Sequence, residues 1–532
     1  MSASRKSPVG RVTFVAAGPG DAELLPMKSL RALAAADYVL ADSEALNLAN
    51  GTASHAEIFS AVDSTGLPLE SNVRAKSVID NAKAGKQVVR LFSGDPVLDG
   101  AFSRESAALD KAKIAYDFVP GISTVSGVAA FAGVSLTSKS STEVRIVDPT
   151  NSVINWADHQ EPHVTLVALN AADSAVEISK LLLAAGRASD TPVLITRAGA
   201  TTSQRSLLTT LKEVAAVVKA SKQSGNGMMI IGSTAAQRST LSWFESKPLF
   251  GWRLLLPTTK DDFEYLVADI ENLGATVTRV PTLSVEPPRT PQQMERAVTG
   301  LVTGRYEWIV FTCANSVKAV WEKCQEYGLD ARAFAGIRLA ASGDGTNAQL
   351  ALYGIRADIA LPDGASTIDL LDEFPAYEER TDPINRVFLP RADISTESLA
   401  AGLVELGWEV EDITAYRTVR AAPPAVEIRD AIKAGGFDAV LFTSSATVRN
   451  LVGIAGKPHA ATIVCAVGPQ TAKSCVEHGL NPSVQADDPT PQSLLSALSA
   501  RGLELRDAAV AIGETDWRPT RRRGAGRRKV TT

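Results

Sequence analysis

An internal repeat in the second half of the chain decides the predicted fold. The stretch RLLLPTTKD at residues 253–261 returns as RVFLPRADI at residues 386–394. Two further pairs follow in the same order, namely EWIVFTCANSVKAV at 307–320 with DAVLFTSSATVRNL at 438–451, and LAASGDGTNAQLALYGI at 339–355 with VCAVGPQTAKSCVEHGL at 464–480. Because three matched blocks in one order are hard to obtain by chance, they indicate a duplicated structural frame.

Each repeated block has the pattern of an apolar strand, a polar turn and a helix, which predicts an α/β fold. The pattern places four threonines at strand ends or helix starts, namely Thr312, Thr346, Thr443 and Thr471. Open parallel sheets bind ligands at that edge, and helix-start amides favour anions. The repeat therefore predicts a cleft for an anionic ligand, while simple helix capping by these threonines remains the alternative.

The first half of the chain also alternates β-branched runs with helical stretches, from residue 11 to about residue 232. This alternation predicts a second α/β region with largely parallel strands. The alternation ends at AAQRSTLSWFESKPLFGWR, residues 235–253, a stretch that is first polar and then aromatic. We therefore place a domain boundary near residue 245. The predicted domains are residues 1–245, residues 246–505 and a basic, disordered tail at residues 506–532.

Composition excludes several classes of protein. Hydrophobic residues make up 45% and charged residues 21% of the chain, as in soluble globular proteins. No apolar run is long enough to span a membrane and no signal peptide is recognisable, which predicts a cytoplasmic protein. The net charge of −5, despite a basic stretch at residues 518–529, argues against nucleic acid as the main partner. The four cysteines show no metal-ligand spacing, so we expect no metal site.

Five motifs lie together on the duplicated frame of the second half, namely VFTCANSVKAV, LPRAD, AYRTV, LFTSSATVRN and AVGPQTAKSC. Through this set the second half resembles the uroporphyrinogen-III synthase family. The resemblance implies a lyase without a cofactor that cyclises hydroxymethylbilane to uroporphyrinogen III, inverting the last ring and releasing water. It also implies two flavodoxin-like parallel-sheet domains with a cleft between them, one from about residues 251–285 and 420–505 and the other from 286–415.

The resemblance also implies the roles of particular residues. Tyr416 would assist departure of the hydroxyl, although an ordinary half-buried strand tyrosine is the alternative. Thr346 and Thr471 would touch substrate carboxylates, and Arg391 would bind one bidentately. The same cleft would be lined by Thr312, Thr443 and Ser444. Thr258 stands where the family often carries an arginine, a loss for which Lys260 would compensate.

Four segments of the first half share a family pattern, namely GPGDAELLPMKSLRALAAADYVLAD at 18–42, VVRLFSGDP at 88–96, VPGISTVSGVAAFAGVSLT at 119–137 and TPVLITRAGATTSQRSLLTTL at 191–211. Through these segments the first half resembles the tetrapyrrole methylases, specifically uroporphyrinogen-III C-methyltransferase. Glu23 occupies the third glycine position of a dinucleotide fingerprint, which excludes a nicotinamide-binding Rossmann interpretation. The implied fold is a two-lobed methylase domain.

This second resemblance implies a site for S-adenosylmethionine formed by Pro19, Ser93, Gly94, Asp95, Ser123, Thr124 and Gly199. Asp42 falls where the family has an aspartate proposed as a base. Two positions depart from the family pattern, since Ala101 stands where an arginine is expected and Asn170 where a methionine is expected. Arg104 could replace the missing arginine if its loop shifts.

Three hypotheses follow from the sequence. The first is a bifunctional enzyme that forms uroporphyrinogen III and then methylates it with S-adenosylmethionine to make precorrin-2, for siroheme or corrinoid synthesis. The second is a synthase whose N-terminal domain only binds or channels tetrapyrroles. The third is a hinged binding protein or sensor without catalysis. The expected partners are the two tetrapyrroles, and the methylase resemblance implies a homodimer through the N-terminal half.

Overall fold

A computed structural model describes residues 10–53, 55–150, 153–258, 264–362, 368–393 and 398–514. The chain forms two compact units. Unit 1 comprises the chain up to Gly251 together with Leu273–Ala275, and unit 2 comprises Trp252–Asn272 and the chain from Thr276 onward. Within the described ranges, no helix combines the length and the apolar character that a membrane span needs.

Unit 1 begins with a five-stranded sheet in which every strand pairing is parallel. Its strands are β1 (Val12–Ala16), β2 (Tyr38–Ala41), β3 (Glu57–Ser60), β4 (Val88–Phe92) and β5 (Tyr116–Val119), in the order β3-β2-β4-β1-β5. The helices are α1 (Met27–Ala34), α2 (Leu46–Thr52), α3 (Ser71–Lys83), α4 (Ala101–Ala112) and α5 (Thr124–Phe131). The central strands are buried on both faces, which explains their continuous apolar sequences.

The second sheet of unit 1 corrects the expectation of largely parallel strands. Its strands are β6 (Glu143–Val147), β7 (Val164–Ala168), β8 (Pro192–Arg197), β9 (Arg205–Thr210) and β10 (Gly227–Ile231), in the order β6-β7-β10-β8-β9. Only β6 and β7 pair in parallel. The short connection between β8 and β9 permits an antiparallel hairpin, whereas a parallel pair needs a long crossover. The accompanying helices are α6 (Ala175–Ala184), α7 (Val214–Ser221) and α8 (Arg238–Leu241).

Unit 2 contains two sheets, which we call lobe A and lobe B. Lobe A is built on β11 (Arg253–Thr258), β12 (Thr276–Pro281), β19 (Ala439–Phe442), β20 (Ile463–Ala466) and β21 (Pro482–Gln485). Lobe B is built on β13 (Leu283–Glu286), β14 (Trp308–Phe311), β15 (Arg338–Ser342), β16 (Ile359–Leu361), β17 (Arg386–Ala392) and β18 (Glu409–Arg420). The helices of unit 2 are α9 (Glu264–Asn272), α10 (Pro291–Val302), α11 (Ala314–Glu326), α12 (Asp344–Leu352), α13 (Leu370–Glu373), α14 (Ser398–Glu405), α15 (Val426–Ala434), α16 (Ser445–Ala455), α17 (Pro469–Glu477) and α18 (Pro491–Ala511).

The repeated segments occupy equivalent places in the two lobes. The strand order is β12-β11-β19-β20-β21 in lobe A and β13-β18-β17-β14-β15-β16 in lobe B. Each lobe therefore combines the opening strands of one repeat copy with the later strands of the other copy. The order of lobe A is the flavodoxin-like 2-1-3-4-5 arrangement, and lobe B repeats it with the edge strand β13 added. The predicted α/β class with parallel sheets is confirmed.

Two details of the predicted limits differ from the structure. Strand β13 pairs antiparallel with β18, so Leu283–Glu286 belongs to the sheet of lobe B although residues 283–285 were assigned to the other lobe. Helix α18 continues to Ala511 with Ala509 buried, so residues 506–511 are helical rather than a disordered tail. Residues 515–532 lie outside the described residues, and the boundary near residue 245 stays a prediction.

A network of buried charges stabilises the first sheet of unit 1. Arg90 on β4 is 1% exposed, and its Nε donates to Glu105 Oε2 at 2.9 Å while its Nη2 donates to Asp42 Oδ1 at 2.6 Å. Glu105 is fully buried and also accepts from Arg74 Nε at 2.6 Å. Two guanidinium groups thus face two carboxylates, and this balance makes burial of the charges tolerable.

Arg90→Ala is expected to lower the free energy of unfolding by about 3 to 5 kcal/mol, because it removes one of the two guanidinium groups that balance the buried carboxylate of Glu105. Urea unfolding of the full chain measures the change. Arg11→Ala is the matched control, since the ion pair of Arg11 with Asp117 is exposed and such pairs contribute at most about 1 kcal/mol. A loss for Arg90→Ala as small as that of the control would contradict the stabilising role of the network.

Candidate functional site

A cavity of about 400 Å³ in unit 1 lies at the carboxyl ends of β1 and β4. The turns that follow these two strands bond to each other, since Gly18 N donates to Gly94 O and Gly94 N donates to Gly18 O, both at 3.1 Å. Parallel sheets bind ligands at this edge, where the strand order reverses. Five of the seven residues predicted for a cofactor line the cavity, namely Pro19, Ser93, Gly94, Thr124 and Gly199.

The other two predicted cofactor residues do not line this cavity. Asp95 Oδ1 accepts from Val97 N at 3.2 Å and so stabilises the turn after β4. Ser123 occupies the N-cap position of α5, but its side chain makes no capping hydrogen bond. Sequence spacing indicated turns that border the cavity, but it could not decide which side chain of each turn faces it.

Gly199 allows its loop to approach α5 closely. A Cβ atom added at Gly199 would lie 2.5 Å from Val128 Cγ1, well inside normal contact distance. Its two neighbours, Ala198 and Ala200, adopt left-handed backbone conformations with φ of 46° and 59°. Such conformations cost alanine about 1 to 2 kcal/mol each. Backbone strain of this kind is concentrated at functional sites, which supports a role for this loop in binding.

The cavity offers both apolar surface and unused hydrogen-bonding capacity. Leu48, Leu169 and Met228 contribute apolar surface. Thr124 Oγ1 is buried, and within the part of the chain that the structure describes it has no hydrogen-bond partner. A buried hydroxyl without a partner is unfavourable by about 1 to 3 kcal/mol, so a polar group of a ligand would be stabilised here.

Asp42 is held beside this cavity by the buried charge network. Its Oδ2 accepts from Ser93 N at 2.9 Å, and Ser93 lines the cavity. Its other oxygen accepts from Arg90, while the side chain keeps an exposure of 23%. The sequence motifs indicate Asp42 but not its network partners Arg90 and Glu105. The available signal was a single arginine inside the otherwise apolar strand VVRLF.

Ala101 and Asn170, the two positions that depart from the methylase pattern, and Arg104, the suggested replacement, have distinct surroundings. Ala101 is buried in the apolar core at the start of α4, so its side chain is not available to a ligand. Arg104 is exposed and donates to Asp99 O at 3.1 Å. Asn170 lines the cavity with a left-handed φ of 52°, and its side chain bonds to Asp148 and Asn226. Replacement of the missing arginine by Arg104 stays a prediction.

Tyr416 in lobe B has a buried hydroxyl with a defined partner. The residue is 7% exposed, and its OH lies 3.1 Å from Cys313 Sγ at the start of α11. Burial, followed by the neighbouring Cys313, raises the pKa of the Tyr416 hydroxyl above its ordinary value. The hydroxyl therefore stays protonated at neutral pH. Tyr416 also borders a cavity of about 290 Å³, together with Asn315 and Lys318 on α11.

The predicted hydroxyl residues follow the strand ends in both lobes. Thr312 follows β14 in lobe B, and Thr443 follows β19 in lobe A. Thr346 donates to Ser342 O at 2.7 Å, and Ser444 Oγ accepts from Thr447 N at 3.3 Å in a capping box. Both side chains bond within their own strand-to-helix turn. The N-cap positions of the four helices are held by Cys313, Gly343, Ser444 and Gly468, so the capping alternative for the four threonines is wrong. Thr471 is buried in the first turn of α17.

Arg391 lies at the end of β17, but its guanidinium already has an internal carboxylate partner. It forms a bidentate ion pair with Asp412 on the adjacent strand β18. A substrate carboxylate would have to compete with that pair. Thr258, the counterpart of Arg391 in lobe A, is buried, and Lys260 lies outside the described residues. The sequence could not reveal Asp412 because the pairing depends on strand register.

Two family matches cover most of the chain. Residues 11–215 match the family of tetrapyrrole (corrin/porphyrin) methylases, and residues 264–496 match the family of uroporphyrinogen-III synthase HemD. The porphyrin biosynthesis protein HemD of Ruminiclostridium josui is 24% identical over 92% of this chain and 97% of its own length. A siroheme synthase of Zymomonas mobilis is 33% identical over 45% of this chain and 52% of that protein, so the chain spans about half the length of such relatives.

Similar solved structures correspond to one half of the chain at a time. A uroporphyrin-III C-methyl transferase of Thermus thermophilus is 28% identical, with 42% of this chain and 93% of that chain covered and a TM-score of 0.35. A mutant uroporphyrinogen III synthase of the same organism is 22% identical, with 47% and 99% covered and a TM-score of 0.31. From the family matches, the chain belongs to the tetrapyrrole methylases over residues 11–215 and to the uroporphyrinogen-III synthases over residues 264–496, and it is an enzyme of tetrapyrrole biosynthesis.

Proposed function

We propose that unit 2 cyclises hydroxymethylbilane to uroporphyrinogen III, with inversion of the last ring and release of water. The observation that carries the proposal is the protonated, buried hydroxyl of Tyr416 at the edge where the parallel strands of lobe B end. The match of residues 264–496 to the synthase family supports the same reaction. No step of this reaction calls for a cofactor.

The chemistry requires little beyond positioning and hydrogen bonding. Departure of the terminal hydroxyl of the substrate is easier when a neutral donor bonds to the leaving oxygen, which is the role we assign to Tyr416. Attack by the rearranged ring carbon then closes the macrocycle and releases a proton, which balances the departing hydroxide as water. The helix starts after β14 and β19 present amides that favour the carboxylates of the substrate and help to fold it.

Tyr416→Phe is expected to lower kcat for formation of the type III macrocycle by about a hundredfold, because it removes the donor and keeps the ring. The matched control is Tyr353→Phe in the same lobe, where the ring stacks on Trp321 at 4.2 Å and that stacking is retained. Both variants are assayed by separating the type I and type III products. Unchanged type III formation by Tyr416→Phe would contradict the assignment.

We further propose that unit 1 binds S-adenosylmethionine in its 400 Å³ cavity. A bound S-adenosylmethionine supplies an electrophilic methyl group. The apolar lining suits a nucleoside, the glycine turns allow close backbone approach, and the unpaired hydroxyl of Thr124 offers a polar contact. The match of residues 11–215 to the methylase family supports this ligand.

Methyl transfer to uroporphyrinogen III is a second candidate function. It is favoured by Asp42, whose carboxylate is held beside the cavity and could accept a proton from the substrate. Burial of Ala101 and the surface position of Arg104 instead favour a domain that binds or channels tetrapyrroles. Transfer of a labelled methyl group to the macrocycle distinguishes these functions. The predicted homodimer and the cytoplasmic location stay predictions.

Gly199→Ala is expected to weaken binding of S-adenosylhomocysteine by about tenfold, because the added methyl group pushes Val128 into the cavity. Isothermal titration calorimetry measures the change in Kd. Gly51→Ala in α2 is the matched control, since a Cβ atom at Gly51 would meet nothing within 4 Å. An equal Kd for Gly199→Ala and the unmodified protein would place the ligand elsewhere.

A further inference from the structure

Cys313 differs from the other three cysteines in its accessibility. Cys324, Cys465 and Cys475 are fully buried, whereas Cys313 is only half-buried. Burial raises the pKa of Cys324 and of Cys475 to about 11. Buried thiols of that kind are chemically inert, so Cys313 is the thiol that a reagent from solvent can reach.

The repeat provides an internal comparison for Cys313. Cys313 in lobe B and Ser444 in lobe A precede equivalent helices and share nearly the same backbone conformation, with φ of −166° and −165° and ψ of 160° and 161°. In both lobes a hydroxyl three residues later bonds back to the carbonyl, from Ser316 at 2.7 Å and from Thr447 at 2.6 Å. The two turns therefore share the backbone conformation of the cap residue and the hydrogen bond to its carbonyl. They differ in the side chain of the cap residue.

The side chains of these two cap residues have different partners. Ser444 Oγ accepts from a backbone amide of its own helix, whereas Cys313 makes no capping hydrogen bond. The Cys313 thiol instead lies 3.1 Å from Tyr416 OH. The Cys313 thiol is a weak donor and acceptor. It does not bond to its own helix but contacts the Tyr416 hydroxyl, to which the proposed function assigns a role.

We propose that Cys313 is a positioning residue for Tyr416 in ring closure, an inference that rests on the proposed function of unit 2. The thiol fixes the phenol by one hydrogen bond. When the S–H group donates to the phenol oxygen, the phenol proton remains free to face the departing hydroxyl.

A double-mutant cycle tests this proposal through kcat and KM for type III product. Cys313→Ala is expected to lower kcat about threefold to tenfold, the value of one hydrogen bond, with KM unchanged within about twofold. Cys313→Ser should recover most of that loss. In a Tyr416→Phe background, Cys313→Ala should have no further effect, since the group it positions is absent. An equal loss of kcat in both backgrounds, or no loss in either, would overturn the proposal.

Alkylation by iodoacetamide provides a readout that does not depend on activity. Tyr416→Phe should speed modification of Cys313, located by mass spectrometry, at least twofold, because the thiol loses its partner. Treatment with iodoacetamide should stop ring closure by the protein that carries Cys313. It should leave ring closure by the Cys313→Ser variant unaffected. An unchanged alkylation rate in Tyr416→Phe would show that the pair does not form. Full ring closure by Tyr416→Phe would instead overturn the proposed function of Tyr416, and the alkylation rates would still report on the pair.

Discussion

Parallel strand pairing, in the first sheet of unit 1 and in the two sheets of unit 2, is the constraint on which the candidate sites depend. When strands run in parallel, the turns that follow them meet at one edge of the sheet, and the crossover helices begin there. In unit 1 this brings the turns after β1 and β4 together through two backbone hydrogen bonds between Gly18 and Gly94. In unit 2 it places the turns after β14 and β17, and those after β19 and β11, at corresponding edges of two sheets.

The two repeat copies of unit 2 do not coincide with its two lobes. Each lobe takes its opening strands from one copy and its later strands from the other, so neither copy can complete a sheet alone. Residues that are equivalent by sequence therefore have different surroundings. The cap residue before α16 serves its own helix, whereas the cap residue before α11 faces Tyr416 on β18. The repeat accounts for the two similar strand–turn–helix units. The residues that surround each turn determine which contacts its side chains make.

The sequence predicted the elements that depend on local pattern. Apolar runs that end in glycine or hydroxyl turns correctly indicated an α/β fold with parallel sheets, and the glycine turns of unit 1 do border a cavity. Contacts set by register between distant segments could not be predicted. Examples are the pairing of Arg391 with Asp412, the antiparallel arrangement of β8 to β10, and the network that joins Arg90, Glu105 and Asp42. Each requires knowledge of which strands are neighbours.

The proposed function requires unit 2 to direct ring closure to the type III isomer. The most direct measurement incubates the purified full chain with freshly generated hydroxymethylbilane and separates the type I and type III macrocycles. Closure without rearrangement gives type I, so the reaction without protein supplies the baseline. We expect type III as the main product, in proportion to the amount of protein. Type I product alone, at the rate seen without protein, would contradict the proposed function.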